Sequence, residues 1–259
     1  MPKLYISLII PCYNEGSTFE KSVEKIIKEL RKLGRNWEII FVEDKGQDKT
    51  KKSVEKFIKS IPNARAVFHR KNEGRGKSVA DGIKIAKGEI CGYLDVDLEV
   101  SEKYISLFIK EVEGGADLAV GKRFYEGGFN NLTRFVFSKA YALALKSILK
   151  LPIDDTEAGY KFFNRKKILP ILPKIKSNHW FWDTEICAQA YWNGLKISQV
   201  PVLFKRRLDK KTTVRLVPDT IDYVKNLIRL KSKLKSQNAK IFTLRSKTTE
   251  NGQLKIQKF

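Results

Sequence analysis

The stretch EICGYLDVD, residues 89–97, joins a short apolar run to two aspartates. A continuous apolar run of this kind is typical of a strand that is buried on both faces of a parallel sheet. Ligands bind outside the carboxyl ends of the strands in such sheets, and Asp95 and Asp97 follow the run at that end. The stretch therefore predicts a central strand that carries two carboxylates into a ligand site.

The sequence on both sides repeats this pattern of a strand and then a helix. Between the strands lie amphipathic helices of about 10–15 residues, a spacing that predicts right-handed βαβ units and a mostly parallel sheet. Ser17 and Glu20 are predicted to form a capping box at the first helix, and Asp48 is predicted to cap the second. The other predicted strands of the first half are YISLII (5–10), WEIIFV (37–42), ARAVFH (64–69) and DLAVGKR (117–123).

The second half is predicted to be less regular. A long helix is expected over 131–150, and a later helix over 183–194 leads to a strand over 196–202. The stretch 205–215 reads as a basic loop, and residues 217–259 as a basic amphipathic helix with a polar tail. The outer positions of that last helix carry Lys225, Arg229, Lys231, Lys233 and Lys235.

The chain is strongly basic. It has 51 Lys and Arg against 29 Asp and Glu, a formal net charge of +22. Such a charge attracts polyanions such as nucleic acid, anionic lipid or phosphorylated ligands, unless it belongs to an ordinary solvated surface. Because the basic residues are scattered and no nucleic-acid-binding motif is present, we expect no nucleic-acid partner.

Three features bear on the location of the protein. Cys12, Cys91 and Cys187 are widely spaced and are predicted to be free, buried thiols in a reducing compartment. The apolar run near the N-terminus is too short and wrongly flanked for an export signal. No uninterrupted apolar stretch reaches about 18 residues, so we expect no membrane-spanning helix. A cytoplasmic location is the prediction.

Carboxylates after two strands are the first candidate site residues. Since residues i and i+2 of a strand point to the same side, Asp95 and Asp97 are predicted to bind one hard cation such as Mg²⁺. Glu99 is a candidate third ligand. After the second strand, Glu43 or Asp44 is predicted to accept hydrogen bonds from a nucleotide base or ribose.

Two further loops place glycine beside charged residues. NEGRGK (72–77) lacks the third glycine of a dinucleotide fingerprint, since position 79 is Val79, so it is either a close backbone approach to a ligand or a flexible turn. DDTEAGYK (154–161) is interpreted as an active-site loop, with a solvated turn as the alternative. The aromatic run WFW (180–182) is predicted to belong to the core rather than to line an entrance.

Six short motifs follow one another along the chain. They are Pro11–Glu15 (PCYNE), Glu43-Asp44 with Asp48, Asn72 with Gly74 and Gly76, Asp95 with Asp97, Gly121 with Arg123, and Asp155 with Gly159 and Lys161. Their order and spacing, over about residues 4–235, resemble the family 2 glycosyltransferases. More narrowly, they resemble the polyprenyl-phosphate hexose synthases, which make dolichyl-phosphate mannose or glucose.

This resemblance implies a GT-A fold, with a catalytic domain over 1–216 that has a nucleotide-sugar half (about 1–125) and an acceptor half (about 126–216). It also implies a UDP- or GDP-hexose donor, inversion at the anomeric carbon, and Mg²⁺ or Mn²⁺ as cofactor. The metal would be held by Asp95, Asp97 and Glu99. The reaction centre and phosphate contacts would come from Asp155, Lys161, Arg123 and Arg134. The nucleotide-sugar would be bound by Pro11, Tyr13, Glu15, Glu43, Asp44, Gly74, Gly76, Lys77 and Asp95.

The chain departs from the family pattern at three places. The family's Asp-Asp-Gly-Ser reads Glu-Asp-Lys-Gly at 43–46, which alters the expected base contact. Its Ser-Lys reads Thr212-Thr213, so Lys211 or Arg215 would substitute for the missing lysine. Many relatives have C-terminal membrane spans, whereas the basic last helix here is predicted to lie on an anionic membrane surface, at the cytoplasmic face.

The acceptor is predicted to be a polyprenyl or dolichyl phosphate. A phosphate monoester has a second pKa of about 6, so it is an ionised nucleophile at neutral pH and needs cations more than a base. Arg206, Arg207 and Lys211 are the candidate cations. The alternative is a glycosyltransferase with a sugar or other hydroxyl acceptor, for which Asp155 would be the base. The oligomeric state is not predicted.

Overall fold

The computed structural model describes residues 5–125, 147–206 and 222–234. The strands are β1 (Ile6–Cys12), β2 (Trp37–Glu43), β3 (Ala64–Phe68), β4 (Ile90–Leu94), β5 (Leu118–Tyr125), β6 (Tyr160–Asn164) and β7 (Ile197–Phe204). They form one sheet in the order β3-β2-β1-β4-β6-β5-β7. The α-helices are α1 (Phe19–Lys32), α2 (Thr50–Ser60), α3 (Arg75–Ile85), α4 (Ile105–Glu113), α5 (Arg165–Ile168), α6 (Trp182–Trp192) and α7 at 222–234.

Helices cover both faces of the sheet, as the apolar strands require. Successive residues of β1 point to opposite faces. Leu8 joins a buried cluster with Val23 of α1 and Phe108 of α4, whereas Ile9 joins a second cluster with Ile83 of α3. This three-layer arrangement confirms the predicted α/β class.

The first four strands pair in parallel, β3 with β2, β2 with β1 and β1 with β4. β5 and β7 are also parallel. The carboxyl ends of β1, β2 and β4 therefore meet at one edge of the sheet, and this edge is where a ligand site is expected.

Strand β6 was not predicted. It lies antiparallel between β4 and β5, and its first two residues, Tyr160 and Lys161, belong to the stretch 154–161 that we interpreted as a loop. Lys161 interrupts its apolar pattern, yet that side chain is fully buried together with Phe162 and Phe163. The register pairs Lys161 with Tyr93, so the acidic loop before β6 lies beside the end of β4.

The predicted capping box at the first helix is wrong. Helix α1 begins at Phe19 after a short 3₁₀ turn, and its N-cap residue Thr18 makes no side-chain capping hydrogen bond. Glu20 instead accepts hydrogen bonds from Ser53 and Lys56 of α2. Its carboxylate therefore joins two helices rather than capping one.

Helix α7 packs against the rest of the protein. Leu230 is buried in a cluster with Leu149, Leu151, Phe181 and Ala188. None of the helices in the three described ranges is both long enough and apolar enough to cross a bilayer. Of the long helix predicted over 131–150, only 147–150 lie within the described residues, and of these 147–149 are helical.

Two cations that the sequence placed on the outer side of α7 turn inward. Arg229 Nη2 donates to Ser177 Oγ at 2.9 Å and to Glu185 Oε2 at 3.1 Å. Lys233 Nζ donates to the carbonyl oxygen of Lys174 at 2.8 Å. Val224, an apolar residue of the same helix, is exposed.

All three cysteines are free and buried, as predicted. Burial raises the pKa of Cys91 and of Cys187 to about 12 in each case, so both are uncharged thiols at neutral pH.

Candidate active site

Asp95 and Asp97 lie just beyond the end of β4, in a turn rather than in the strand itself. Asp95 N–H donates to the carbonyl oxygen of Gly159 at 3.0 Å, which joins this turn to the loop before β6. Leu98, in the same turn, has a φ of +58°. Asn14 and Lys45 have positive φ at the ends of β1 and β2. Strained backbone of this kind concentrates at functional sites, and here it lies along one edge of the sheet.

The Asp95 carboxylate is bound by Arg75, the first residue of α3. Arg75 Nε and Nη2 both donate to Asp95 Oδ1, at 2.8 and 2.6 Å. Its third nitrogen, Nη1, donates to Asp183 Oδ2 at 2.5 Å. The guanidinium also lies 5.4 Å from the ring centre of Tyr93 and 5.5 Å from that of Trp180. Arg75 thus joins two carboxylates that are far apart in sequence.

Asp183 is the centre of a buried charge network. Its side chain is 3% exposed and accepts hydrogen bonds from Arg75, from Lys161 Nζ at 2.6 Å and from the Tyr93 hydroxyl. Burial raises the pKa of Asp183, but the charges of Lys161 and Arg75 and the hydrogen bonds outweigh it. The pKa therefore lies below its usual value, and Asp183 is an ionised carboxylate.

The electrostatics of Asp95 are different. Burial is the largest influence and raises the pKa of Asp95; the charges of Asp97 and Asp183 add to the rise, and Arg75 opposes it. Asp95 is thus influenced by two other carboxylates, Asp97 and Asp183, with Arg75 as the opposing charge. A carboxylate in this position, with a side chain that is still 39% exposed, fits the binding of a cation.

Sequence reasoning missed Arg75 and Asp183. Arg75 stood between Gly74 and Gly76 in a motif read for its glycines, and Asp183 stood beside an aromatic run assigned to the core. The aromatic assignment holds for Phe181 and Trp182, which are buried, but not for Trp180, which is exposed. A charged pair at positions 183 and 185, inside an otherwise apolar helix, was the signal that pointed to a buried network.

Lys161 lies beneath the site rather than in it. The side chain is fully buried, and Nζ donates to Asp183 and to the carbonyl oxygen of Ala158 at 2.6 Å. In this arrangement the ammonium group orients Asp183, which in turn holds Arg75.

Asp155 and Arg123 form a second ion pair at the same edge. Arg123 Nε and Nη2 donate to the two carboxylate oxygens of Asp155 at 2.7 and 2.9 Å, and the Arg123 N–H donates as well. Glu157, two residues on, lies 4.0 Å from Arg123 and is 40% exposed. Partial burial raises the pKa of Glu157, and Asp155 and Asp183 add to the rise against the opposing charge of Arg123.

The side chains of Glu43 and Asp44 are buried and accept hydrogen bonds from backbone N–H groups of loops. Glu43 Oε1 accepts from the Gly46 N–H at 2.6 Å. Asp44 accepts from the backbone N–H groups of Glu73 and Gly74, at 2.7 and 2.8 Å. Asp44 Oδ1 also lies 2.7 Å from His69 Nδ1. Asp44 therefore holds the start of the glycine-rich loop against the end of β2.

The glycine-rich loop is packed against protein. A Cβ on Gly74, where φ is +101°, would lie 2.5 Å from the carbonyl oxygen of Asn178, and a Cβ on Gly76 would overlap Trp182. Lys77 binds Asp81 through its side chain. The two glycines thus allow α3 to approach the segment before α6, which brings Arg75 to Asp183.

The loop after β1 is joined to the segment before α2. Pro11 is buried in β1, and Tyr13 is exposed at 37%. The Tyr13 N–H donates to Glu15 Oε1 at 3.2 Å, and Asp48 Oδ2 accepts from the Gly16 N–H at 2.8 Å. Asp48 Oδ1 also accepts from the N–H of Thr50, the first residue of α2, at 2.9 Å, so Asp48 ties this loop to the start of the helix.

The predicted three-carboxylate metal set is not assembled. Within the residues that the structure describes, no three His, Cys, Asp or Glu side chains group as a metal site. The backbone of Glu99 is joined to the residue after β7, where its carbonyl oxygen accepts from the Lys205 N–H at 2.8 Å. Asp95 and Asp97 remain as a pair of hard oxygen ligands, a set that fits a divalent cation whose other ligands are phosphate oxygens and water.

The candidate acceptor cations are only partly described. Arg206 is exposed and follows Lys205, whose N–H donates to Glu99, a residue close in sequence to the Asp95 turn. Arg134, Arg207 and Lys211 lie outside the described residues.

Substitution of Gly159 tests the close contact between the loop before β6 and the Asp95 turn. A Cβ there would overlap Asp95 Oδ2 and press on Arg75 Nη2. Gly159→Ala is expected to displace the Asp95 carboxylate and to destabilise the protein by about 1–3 kcal/mol, the usual range for overpacking. Urea unfolding measures this, with Gly114→Ala as the control, since φ at Gly114 is −70° and a Cβ there would lie 3.2 Å from the Lys110 carbonyl oxygen. A stability within about 0.5 kcal/mol of Gly114→Ala would contradict the close contact.

Comparison with known proteins identifies a family model and relatives that match this chain. The model of the family described as Glycosyl transferase family 2 matches residues 7–171. The glycosyltransferase AglD of Haloferax volcanii is 27% identical over 229 residues, 86% of this chain and 36% of that protein. The dolichyl-phosphate beta-glucosyltransferase ALG5A of Trichomonas vaginalis is 28% identical over 215 residues, 77% of this chain and 65% of that protein. The chain thus spans less than two thirds of the length of either relative.

Solved structures share the fold. Glucosyl-3-phosphoglycerate synthase from Mycobacterium tuberculosis, in complex with phosphoglyceric acid, has a TM-score of 0.67 at 19% identity, over 88% of this chain and 80% of that one. The same enzyme with Mn²⁺, UDP and glucosyl-3-phosphoglycerate has a TM-score of 0.64 at 17% identity, over 88% and 78%. This likeness confirms the predicted GT-A fold. Since the family model covers more than half of its residues, the chain belongs to glycosyl transferase family 2.

Proposed function

We propose that this chain transfers a hexose from a nucleotide-sugar to the phosphate of a polyprenyl or dolichyl lipid, with inversion at the anomeric carbon. The observation that carries the proposal is the pair of carboxylates, Asp95 and Asp97, just beyond the end of β4 at the carboxyl edge of a GT-A sheet. Relatives named as dolichyl-phosphate glucosyltransferases support the lipid phosphate as acceptor.

A divalent cation fits the Asp95–Asp97 pair. Both carboxylates would hold it, and a bound ion supplies stabilisation of the negative charge that develops on the diphosphate leaving group. The likeness to an enzyme crystallised with Mn²⁺ and UDP supports Mn²⁺ or Mg²⁺ and a uridine nucleotide as first candidates. A GDP-hexose is the alternative donor.

The acceptor side is proposed to be basic and to need no general base. Both carboxylate oxygens of Asp155 already accept hydrogen bonds from Arg123. An ionised phosphate attacks without losing a proton, so its requirement is for positive charge that positions it. Exposed Arg206 is the described candidate for that role, and Arg207 and Lys211 follow it in sequence.

The second part of the proposal is a peripheral position on an anionic membrane at the cytoplasmic face. On α7, Val224 is 49% and Ile228 is 63% exposed, and Lys225 and Lys231 are exposed beside them. Apolar residues flanked by lysines suit the interface of an anionic bilayer.

Reversing two of these charges tests the membrane proposal. Lys225→Glu with Lys231→Glu is expected to weaken binding to phosphatidylserine-containing liposomes by about 30-fold or more, since each lysine near the surface contributes about 1 kcal/mol. Flotation measures it. Lys52→Glu with Lys59→Glu on α2, an equal change in net charge, is the control. Equal binding by both double variants would contradict an interface at α7.

The reaction itself is tested by label transfer. A panel of UDP- and GDP-hexoses would be incubated with a short polyprenyl phosphate and Mg²⁺ or Mn²⁺. We expect label to enter the lipid phase from one donor, and EDTA to abolish it. The absence of transfer from every donor would contradict the proposed function.

A further inference from the structure

The loop at 154–159, called the acceptor loop here, is fixed at two points. On one side, Asp155 binds Arg123, and Asp154 binds Lys122 at 2.7 Å, both on β5. On the other side, the Thr156 side chain turns into the protein and is completely buried, whereas its neighbour Glu157 is exposed. The inward position of Thr156 therefore determines how Asp155 and Glu157 are presented at the edge of the sheet.

A chain of hydroxyl groups connects Thr156 to the last helix. Thr156 Oγ1 lies 2.8 Å from Thr184 Oγ1, and Thr184 Oγ1 lies 2.8 Å from the Tyr223 hydroxyl. Thr156 and Thr184 are both 0% exposed. Burying a hydroxyl is costly unless it is hydrogen-bonded, so these two bonds favour one arrangement of the acceptor loop, α6 and α7.

Tyr223, the end of this chain of hydroxyl groups, also fixes helix α7 against α6. The Tyr223 ring packs edge-on against Phe181, with ring centres 4.8 Å apart. One turn and a half further on, Arg229 binds Glu185, whose side chain is 1% exposed. Three successive residues of α6 thus have different sets of partners: Asp183 binds Arg75 and Lys161, Thr184 binds Thr156 and Tyr223, and Glu185 binds Arg229.

We propose that Tyr223 is a positioning residue for the acceptor, which acts through Thr184 and Thr156 and makes helix α7 a working part of the catalytic domain. The inference rests on the proposed function, since the acceptor loop is taken to face the lipid phosphate. Removing the Tyr223 hydroxyl would loosen Thr156 and with it the acceptor side of the site. The Asp95–Asp97 side, held by Arg75, would be left in place.

The test separates acceptor from donor. Tyr223→Phe is expected to lower kcat/KM for polyprenyl phosphate by about fivefold to tenfold, the effect of one buried hydrogen bond, and to leave the KM for the nucleotide-sugar within about twofold. Tyr191→Phe, which removes an exposed hydroxyl at the end of α6, is the matched control. Thr184→Val is expected to reproduce the loss and Thr184→Ser to restore activity, because serine keeps the hydroxyl.

A second readout does not depend on transfer. Amide hydrogen exchange of residues 154–159 is expected to be faster in Tyr223→Phe than in the wild type, and unchanged in Tyr191→Phe. If the wild type transfers no sugar while exchange of residues 154–159 is still faster in Tyr223→Phe, the proposed function is refuted and the role of the hydroxyl chain is supported. Unchanged exchange and unchanged acceptor kinetics in Tyr223→Phe, with an active wild type, would overturn the inference. A lower melting temperature with equal acceptor and donor constants would overturn it as well.

Discussion

Asp97→Asn is expected to lower the kcat/KM of sugar transfer by about 100-fold or more, since a catalytic cation contributes several kcal/mol and each 1.36 kcal/mol is a factor of ten. Asparagine has nearly the same shape and still accepts the hydrogen bond from the Glu99 N–H, which lies 3.3 Å from Asp97 Oδ1. It removes one negative charge of the pair. The loss should therefore come from the cation and not from the fold.

Three measurements together make this prediction specific. Initial rates give the loss of transfer, titration of Mn²⁺ by electron paramagnetic resonance gives metal affinity, and urea unfolding gives stability. We expect the first two to fall and the third to stay within about 0.5 kcal/mol. Glu24→Gln, an exposed residue of α1, makes the same change in charge and is the control. Full activity and unchanged Mn²⁺ affinity in Asp97→Asn would rule out the carboxylate pair as a metal site.

Arg75→Met is expected to destabilise the protein by about 3 kcal/mol, because removal of one partner from a buried ion pair leaves the other charge uncompensated. Asp183 is 3% exposed, and Arg75 and Lys161 are its positive partners among the described residues. Methionine fills similar space between Tyr93 and Trp180 without the charge. Asp95 and Asp183 would then repel each other without the guanidinium between them.

The control for Arg75→Met is Lys71→Met, in the same loop. Lys71 is 78% exposed and lies 3.8 Å from Glu73, a surface pair whose loss should change stability by less than about 0.5 kcal/mol. Urea unfolding of both variants makes the comparison. Arg75→Lys is expected to be intermediate, since one ammonium group cannot reproduce the three directed hydrogen bonds of the guanidinium. Equal stability of Arg75→Met and Lys71→Met would show that the buried network does not depend on Arg75.

The fold was largely predictable because its strands are local apolar runs. β1, β2 and β4 are buried on both faces, and the helices between them have one apolar side. β6 escaped prediction because Lys161, a residue rarely buried, sits inside it with its charge neutralised by Asp183. Its partner is 22 positions away, and no local pattern reveals such a partner.

The site residues were predictable only where acidic side chains directly follow a predicted strand. Asp95 and Asp97 were found because they follow a buried strand. Arg75 was missed because its partner Asp183 is 108 positions away, and the glycines beside Arg75 suggested a different role. Those glycines serve packing against Asn178 and Trp182, a contact between distant segments that only the folded structure reveals.

The most direct test of the account compares two acceptors that differ only in the phosphate. Initial rates would be measured with a short isoprenoid phosphate and with the corresponding alcohol, at saturating donor and divalent metal. We expect the phosphate to be used at least about 100-fold faster, because it is already ionised whereas the alcohol needs a base. Use of the alcohol but not of the phosphate would contradict it. In that case the base would be sought at Glu157, since Asp155 is already occupied by Arg123.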